Sequence, residues 1–322
     1  MGPLKKLELA FPQEEYDRRL AAVREGMAAK GVEVLLVFDP ANVTYLTGYY
    51  TISFYTYQCL LVPMGGMPVL VVRGFEVPVA EASSWLDSVF GYADHEDPAS
   101  ALLRAIRENG FESRELFAEQ TSPFMTVRQY KHLEKNLGLE MGDGTGFVEP
   151  ARMIKSSWEV ECFRSAAKCT EAGMAAGIEA VAEGKTENEV VAECYRGLAA
   201  TGSEFFSLGP ILTSGDKSGI PHTTFQRRKL LRGDAVFFEH GGVWHRYTAP
   251  LMRTAVVGEP SDGMRRMYDA CAEALEATLA AIRPGALSED AQAACQAVID
   301  KHGYEPNFRR RVGYAVGLSF GP

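Results

Sequence analysis

The 322-residue chain carries 33 basic and 42 acidic side chains, which gives a formal net charge of −9, and 46% of its residues are hydrophobic. This composition is typical of globular proteins and excludes collagen-like, disordered and coiled-coil chains. The negative charge argues against general binding to nucleic acid, whose phosphates it would repel. The most apolar segment, Cys59–Val72, is too short and too interrupted by proline and glycine to span a membrane.

The first part of the chain, residues 12–150, shows alternating helical and strand patterns. Apolar residues recur at helical spacing in four stretches, residues 12–30, 76–86, 98–109 and 126–135. Short apolar runs predict strands at residues 34–38, 60–63, 68–72 and 116–118. Gly65 and Gly66 predict a hairpin turn, and Asp39-Pro40 predicts a further turn. The alternation predicts an α/β domain.

The pattern changes after Pro150. Long helices are predicted over residues 156–181, 187–200, 264–282 and 289–302. Apolar runs that favour strands lie at residues 210–212, 235–238 and 251–257. Pairs of helices mixed with strands predict an α+β second domain over residues 151–322.

The cysteines and the N-terminal residues favour a cytoplasmic protein. None of the six cysteines forms a C-x-x-C pair, and their spacing suits neither a zinc site nor a disulfide framework. No apolar stretch follows Lys5 and Lys6, so no signal peptide is evident.

His222 is the histidine whose position best suits catalysis. It follows a turn-rich loop, Ser214–Pro221, and precedes Thr223 and Thr224. A histidine on a loop between strands can act as a base near neutral pH. The alternative, a loop histidine bonded to the backbone, stays open from position alone.

A second candidate cluster follows the apolar run 235–238. A carboxylate at the end of an apolar strand is costly unless it is paired or used. The cluster predicts either a polar, aromatic-walled pocket or a hairpin whose turn carries polar and aromatic side chains. Its members are Glu239, His240, Trp244, His245, Arg246 and Tyr247. No H-E-x-x-H or D-x-D spacing is present, and no acidic residue lies between His240 and Val257, so the composition favours a metal-free site.

Five segments, taken in order, resemble the creatinase, prolidase and aminopeptidase P superfamily. They are residues 42–49 (NVTYLTGY), 152–159 (RMIKSSWE), 214–222 (SGDKSGIPH), 282–285 (IRPG) and 313–318 (GYAVGL). The resemblance implies a pita-bread catalytic domain of the α+β class, residues 151–322, behind a smaller creatinase-type α/β domain, residues 12–150. It places the catalytic histidine at His222. It also implies a homodimer, because related proteins are dimers with shared pockets.

The metal positions of the family's peptidases are changed in this chain. Those enzymes bind two metal ions through two aspartates, a histidine and two glutamates. Glu239 stands in place of the first aspartate, Pro250 in place of the second and Tyr314 in place of the histidine. The glutamates would fall beyond residue 322, and a sheet that stopped there would expose an unpaired edge, so we expect the chain to be a fragment. The resemblance therefore implies no metal cofactor.

Within the superfamily, the chain most resembles an ectoine hydrolase-like subgroup that lacks the metal site. The residues that carry this likeness are 53–55 (SFY), 237–239 (FFE), 246–247 (RY), 250–251 (PL), 253–254 (RT) and 313–314 (GY). Creatinase has the same fold and hydrolyses a C–N bond without metal. The leading hypothesis is therefore metal-independent hydrolysis of a C–N bond in a small polar or zwitterionic compound.

This hypothesis gives each candidate residue a role. His222 would act as general base on water and then protonate the leaving nitrogen. Glu239 would hold the substrate cation, and Tyr247 and Tyr314 would donate hydrogen bonds to the developing oxyanion. Substrate-binding roles are expected for Arg246, His240, Arg253, Phe54 and Tyr55. The last two are expected to reach a neighbouring subunit's site.

Two alternatives stay open. The first is an Xaa-Pro dipeptidase or aminopeptidase with an altered site, which would need a divalent metal such as Mn, Co or Zn. The second is a non-catalytic protein that keeps the fold. Under the leading hypothesis the only partners are a small-molecule substrate and a second copy of the chain, with no nucleic acid and no membrane.

Overall fold

The computed structural model describes residues 6–204, 209–308 and 311–318. The chain forms two compact units, and the division lies between Glu161 and Cys162, inside a long helix. In the part of the chain that the structure describes, no helix combines the length and the apolar character needed to cross a bilayer.

The first unit contains six helices and six strands within its described residues. The helices are α1 (Gln13–Ala29), α2 (Pro40–Thr47), α3 (Val77–Ser83), α4 (Pro98–Glu108), α5 (Val127–Leu137) and α6 (Glu149–Met153). The strands are β1 (Val34–Val37), β2 (Cys59–Pro63), β3 (Val69–Arg73), β4 (Val89–Tyr92), β5 (Leu116–Ala118) and β6 (Gly142–Asp143). The helices and strands predicted from apolar spacing are confirmed, with small shifts at their ends.

The strands of the first unit form one mixed sheet in the order β4-β3-β2-β1-β5-β6. β1 is antiparallel to β2 and parallel to β5, and β2 and β3 form the predicted hairpin. Val34 and Leu36 of β1 and Leu61 of β2 pack with Leu102 and Ile106 of α4 in one core. All four residues of β1 are buried, as expected for a strand covered on both faces.

Helix α2 corrects the turn predicted at Asp39-Pro40. Asp39 is the N-cap of α2, and its carboxylate accepts hydrogen bonds from the backbone N–H groups of Ala41 and Asn42. Pro40 is the first helical residue, where its missing N–H costs nothing. Gly48 ends the helix in the left-handed conformation, with φ of 80°. The same dipeptide therefore starts a helix instead of a turn.

A buried carboxylate holds the residues around α2. Glu119 accepts hydrogen bonds from the backbone N–H groups of Phe38 and Asp39, at 2.6 and 2.8 Å, and from the side-chain amide of Asn42 at 2.7 Å. Burial raises the pKa of Glu119 to about 7. The same amide of Asn42 also donates to Glu149. Asn42, the first residue of the 42–49 motif, therefore has a structural role in this unit.

In the second unit, two long helices pack on a small sheet and two further helices pack on each other. Its helices are α7 (Ser157–Glu179, which begins in the first unit), α8 (Glu187–Ala200), α9 (Asp262–Ala281) and α10 (Ser288–Lys301). Its strands are β7 (Ile211–Ser214), β8 (Ala235–Trp244) and β9 (Tyr247–Val256). They form an antiparallel sheet in the order β7-β8-β9.

Close contact between β8 and α7 explains the glycine at position 242. A Cβ atom on Gly242 would lie 2.7 Å from the Cβ of Cys169 and 2.8 Å from the carbonyl oxygen of Ala166. The hydroxyl of Thr170 accepts a hydrogen bond from the Gly242 N–H at 2.8 Å. Gly242 is therefore required for the approach of helix and strand.

Candidate functional site

The candidate cluster lies on a β-hairpin. Glu239 and His240 belong to β8, and Tyr247 is the first residue of β9. His245 and Arg246 form the two-residue turn, with φ of 48° and 66°. Two consecutive positive φ angles are those of a type I′ turn, whose twist matches that of the flanking strands. The cluster therefore lies on a hairpin, and its role as a polar, aromatic-walled pocket stays a prediction.

The strand register divides the candidate residues between two faces of this hairpin. Glu239 lies opposite Met252, and Gly241 lies opposite Pro250, so the side chains of Glu239 and Pro250 share one face. Side chains alternate along a strand, so His240 points to the other face, where its neighbour across the strands is Leu251. We name the first of these surfaces the Glu239 face.

Tyr247 and Arg253 also lie on the face opposite Glu239. Tyr247 pairs with Trp244, is 1% exposed, and packs its ring edge-on against Phe163 at 5.4 Å. Arg253 pairs with the buried Phe238, is itself exposed, and donates a hydrogen bond to the carbonyl of Met252. The hairpin therefore does not bring Tyr247, His240 or Arg253 to the Glu239 face.

Tyr314 belongs to a segment that is bonded to β9, and the negative charge of Glu239 acts on its phenol. The backbone N–H of Thr248 donates to the carbonyl of Gly317 at 3.3 Å, which ties the segment 311–318 to β9. Tyr314 is 60% exposed, and the partial burial of its phenol raises its pKa, with a further increase from the negative charge of Glu239. Glu239 itself is half-buried.

His222 lies on the loop that follows β7. The loop opens with a 3-10 turn, Gly215–Gly219, which packs against β8. His222 is exposed and adopts a left-handed backbone conformation, with φ of 59°. The hydroxyl of Thr223 donates to the carbonyl of Ile220 at 3.0 Å. A non-glycine residue held at positive φ is uncommon and costs conformational energy, so its surroundings must fix it.

A buried acidic residue that the sequence analysis did not single out is bonded to this loop. Glu187, the first residue of α8, is completely buried. Its carboxylate accepts hydrogen bonds from the Ser214 hydroxyl at 2.7 Å, the Lys217 ammonium at 2.8 Å and the backbone N–H of Gln226 at 2.7 Å. No local pattern could have revealed a pairing between residues 187 and 217, which lie on separate elements.

Three further candidates are Arg246, Phe54 and Tyr55. Arg246 is 5% exposed at the hairpin turn. Phe54 and Tyr55 belong to the first unit, in the segment between α2 and β2. Tyr55 is 72% exposed, and the ring of Phe54 contacts those of Tyr55 and Phe124 at 6.1 and 6.3 Å.

The donor set on the Glu239 face does not fit a two-metal centre. All residues of β7, β8 and β9 are described, and among them Glu239 is the only carboxylate. Pro250, which shares its face, has no donor atom in its side chain. Across the described residues, no group of three or more His, Cys, Asp and Glu side chains is arranged to hold a metal ion.

We predict that His240 makes the second unit sensitive to acid. His240 is 1% exposed, and its Nε2 has no hydrogen-bond partner among the described residues. Burial lowers its pKa from 6.5 to about 4. Between these pH values, the histidine is protonated in the unfolded chain and neutral in the folded chain. The free energy of unfolding should therefore fall as pH decreases from about 6.5 to about 4, by a contribution on the order of 3 kcal/mol.

Denaturant unfolding of the parent protein and of His240→Leu at pH 7 and pH 4.5 measures this contribution. We expect the variant to lose less stability between the two pH values than the parent does. His95→Leu, at an exposed loop position of the first unit, is the control. Equal losses of unfolding free energy in the parent and in His240→Leu would show that protonation of His240 does not destabilise the folded protein.

Comparison with known proteins confirms the predicted fold. The description "Creatinase/Prolidase N-terminal domain" matches residues 19–154, and "Metallopeptidase family M24" matches residues 161–322. Prolidase from Pyrococcus horikoshii OT3 superposes with a TM-score of 0.83 at 23% identity, over 95% of this chain and 84% of that one. Aminopeptidase P from E. coli superposes with a TM-score of 0.74 at 18% identity, over 96% and 81%. The architecture is thus a creatinase-type domain followed by a pita-bread catalytic domain.

Sequence relatives place the chain more finely than the fold does. It is 32% identical to ectoine hydrolase from Halomonas elongata, over 98% of this chain and 84% of the relative. It is 30% identical to an uncharacterized hydrolase/peptidase from Sinorhizobium fredii, over 99% and 84%. The chain therefore belongs to metallopeptidase family M24 and is a hydrolase of that family.

Proposed function

We propose that this hydrolase cleaves a C–N bond in a small polar or zwitterionic compound and that it needs no metal ion. The observation that carries the proposal is the Glu239 face, where Pro250 shares the face of Glu239 and no second carboxylate is available from the three strands. This arrangement suits recognition of a cation better than the binding of two metal ions. The 32% identity to ectoine hydrolase supports a non-peptide substrate.

In the proposed reaction, His222 does the proton transfer. It removes a proton from water as the water oxygen attacks the carbon of the C–N bond. It then gives that proton to the leaving nitrogen, so the bond breaks without forming a nitrogen anion and the imidazole returns to its neutral form. The exposed position of His222 leaves its ring open to water and substrate.

Glu239 and Tyr314 bind the charged groups of the substrate and of the transition state. Glu239 holds the substrate cation by a charge-assisted hydrogen bond. Tyr314 donates a hydrogen bond to the oxyanion, and its raised pKa keeps the phenol protonated for this task. Tyr247 lies on the opposite face, so Tyr314 is the only tyrosine to which we assign a hydrogen bond with the oxyanion. Substrate contacts by Arg246 and Arg253 remain predictions.

The second candidate function is a metal-dependent Xaa-Pro dipeptidase or aminopeptidase. It is favoured by the family description and by the name of the relative from Sinorhizobium fredii, which includes a peptidase. It would require metal ligands besides those that the described residues supply. A homodimer and a cytoplasmic location also belong to the proposal; light scattering on the purified protein measures the first.

The two functions differ in their need for metal. We would determine bound metal in the purified protein, treat it with EDTA, and assay it against ectoine, creatine and Xaa-Pro dipeptides. Turnover of a non-peptide substrate that survives EDTA is the expected result. Cleavage of the dipeptides only after Mn, Co or Zn is restored would overturn the metal-free reaction and favour the peptidase.

A further inference from the structure

We propose that Glu187 is a positioning residue that holds the loop carrying His222 in its working conformation. This inference rests on the proposed role of His222 as general base. It adds a residue from a different element, helix α8, to the machinery of the reaction.

Glu187 joins the two ends of this loop. Its Oε1 accepts a hydrogen bond from Ser214, the last residue of β7, before the loop begins. Its Oε2 accepts one from the backbone N–H of Gln226, four residues after His222. The backbone N–H of Glu187 also donates to the carbonyl of Arg228 at 2.9 Å. One buried residue therefore fixes the chain on both sides of His222.

Lys217 extends the connection to the immediate neighbourhood of His222. Its ammonium donates to Glu187 at 2.8 Å and to the carbonyl of Thr224, two residues after His222, at 2.9 Å. The neighbouring helix residue, Asn188, accepts a hydrogen bond from the backbone N–H of Arg227 at 2.9 Å. The loop is thus held at its start, its middle and its end by the first turn of α8.

The carboxylate of Glu187 remains ionised in this position. Burial by itself would raise its pKa, but hydrogen bonds from Lys217, Gln226 and Ser214 outweigh burial and lower the pKa overall. A buried charge that is fully hydrogen-bonded rigidifies its surroundings, whereas its partners lose their geometry if the charge is removed.

The conformation of His222 explains why the connection affects the reaction. At φ of 59°, the residue occupies a backbone region that non-glycine residues avoid unless neighbouring contacts impose it. Without Glu187, the loop between Ser214 and Gln226 is free to relax, and the imidazole no longer keeps one position. A displacement of about 1 Å at a catalytic group can lower the rate about 100-fold.

Three variants test the inference with ectoine as substrate. Glu187→Gln removes the charge at nearly constant shape, and we expect kcat to fall roughly 10- to 100-fold with little change in KM. Glu187→Asp keeps the charge and should recover part of the loss. Glu189→Gln, two residues along the same helix and in its exposed capping box, is the matched control and should keep kcat. If Glu187→Gln does not fold, the charge-neutral double variant Glu187→Gln/Lys217→Met replaces it.

A second readout separates this inference from the proposed reaction. The imidazole 15N signals of His222, assigned by their loss in His222→Asn, report its environment without any substrate. We expect Glu187→Gln to shift or broaden them and Glu189→Gln to leave them unchanged. If no substrate is turned over, the proposed function fails, and the NMR signals alone decide the positioning role. Unchanged His222 signals or an unchanged kcat in Glu187→Gln would overturn it.

Discussion

Replacing His222 by asparagine should lower kcat about 10²- to 10⁴-fold, because proton transfer by a positioned side chain contributes that much to rate. Asparagine tolerates the left-handed conformation that His222 adopts, so the backbone of the loop should stay unchanged. The side chain is exposed, so no core contact is lost. We therefore expect a thermal midpoint close to that of the parent protein, measured by calorimetry beside steady-state kinetics.

Arg227 provides the matched control for this substitution. It lies on the same segment, is exposed and has φ of 68°. Arg227→Asn also places asparagine at a residue with positive φ but leaves the histidine in place, so its kcat should equal that of the parent protein. If His222→Asn and Arg227→Asn have equal kcat values, His222 is an ordinary loop histidine, and the general base must be sought elsewhere.

The elements of the first unit could be predicted where a local pattern repeats. The helical spacing in α1 and the apolar runs of β2 and β3 carry enough signal within a few residues. β4 and β6 were missed because β4 is only partly buried and β6 has two residues. α2 was missed because Asp-Pro signals a turn and a helix start equally well.

The site depended on information that the sequence does not hold locally. Glu239 and Tyr314 stand out in the sequence, since a carboxylate after an apolar strand and the departures from a family motif are both visible there, and their roles stay predictions. The face on which each residue lies could not be predicted, because the register follows from the turn at His245 and Arg246. The connection between Glu187 and Lys217 spans two elements and leaves no periodic trace.

The second large effect is expected at Glu239. Glu239→Gln keeps the shape of the side chain and removes its charge, so a bound cation loses a charge-assisted hydrogen bond. Such bonds contribute about 1.5–3 kcal/mol, which corresponds to a decrease in kcat/KM of roughly 10- to 150-fold. Steady-state kinetics with ectoine measures this change. Glu259→Gln, at an exposed position in the same unit, should leave kcat/KM unchanged.

Glu239 also has an effect that needs no substrate. Because its negative charge contributes to the raised pKa of Tyr314, Glu239→Gln should lower the pKa of that phenol. Ultraviolet titration measures it, with the signal of Tyr314 isolated by subtracting the titration of a Tyr314→Phe variant. If the phenol pKa falls but kcat/KM holds, the two side chains are neighbours that do not bind the cation. If both change, the Glu239 face is where the substrate's charge is recognised, and the substitution of a glutamate for a metal-binding aspartate has changed what this fold binds.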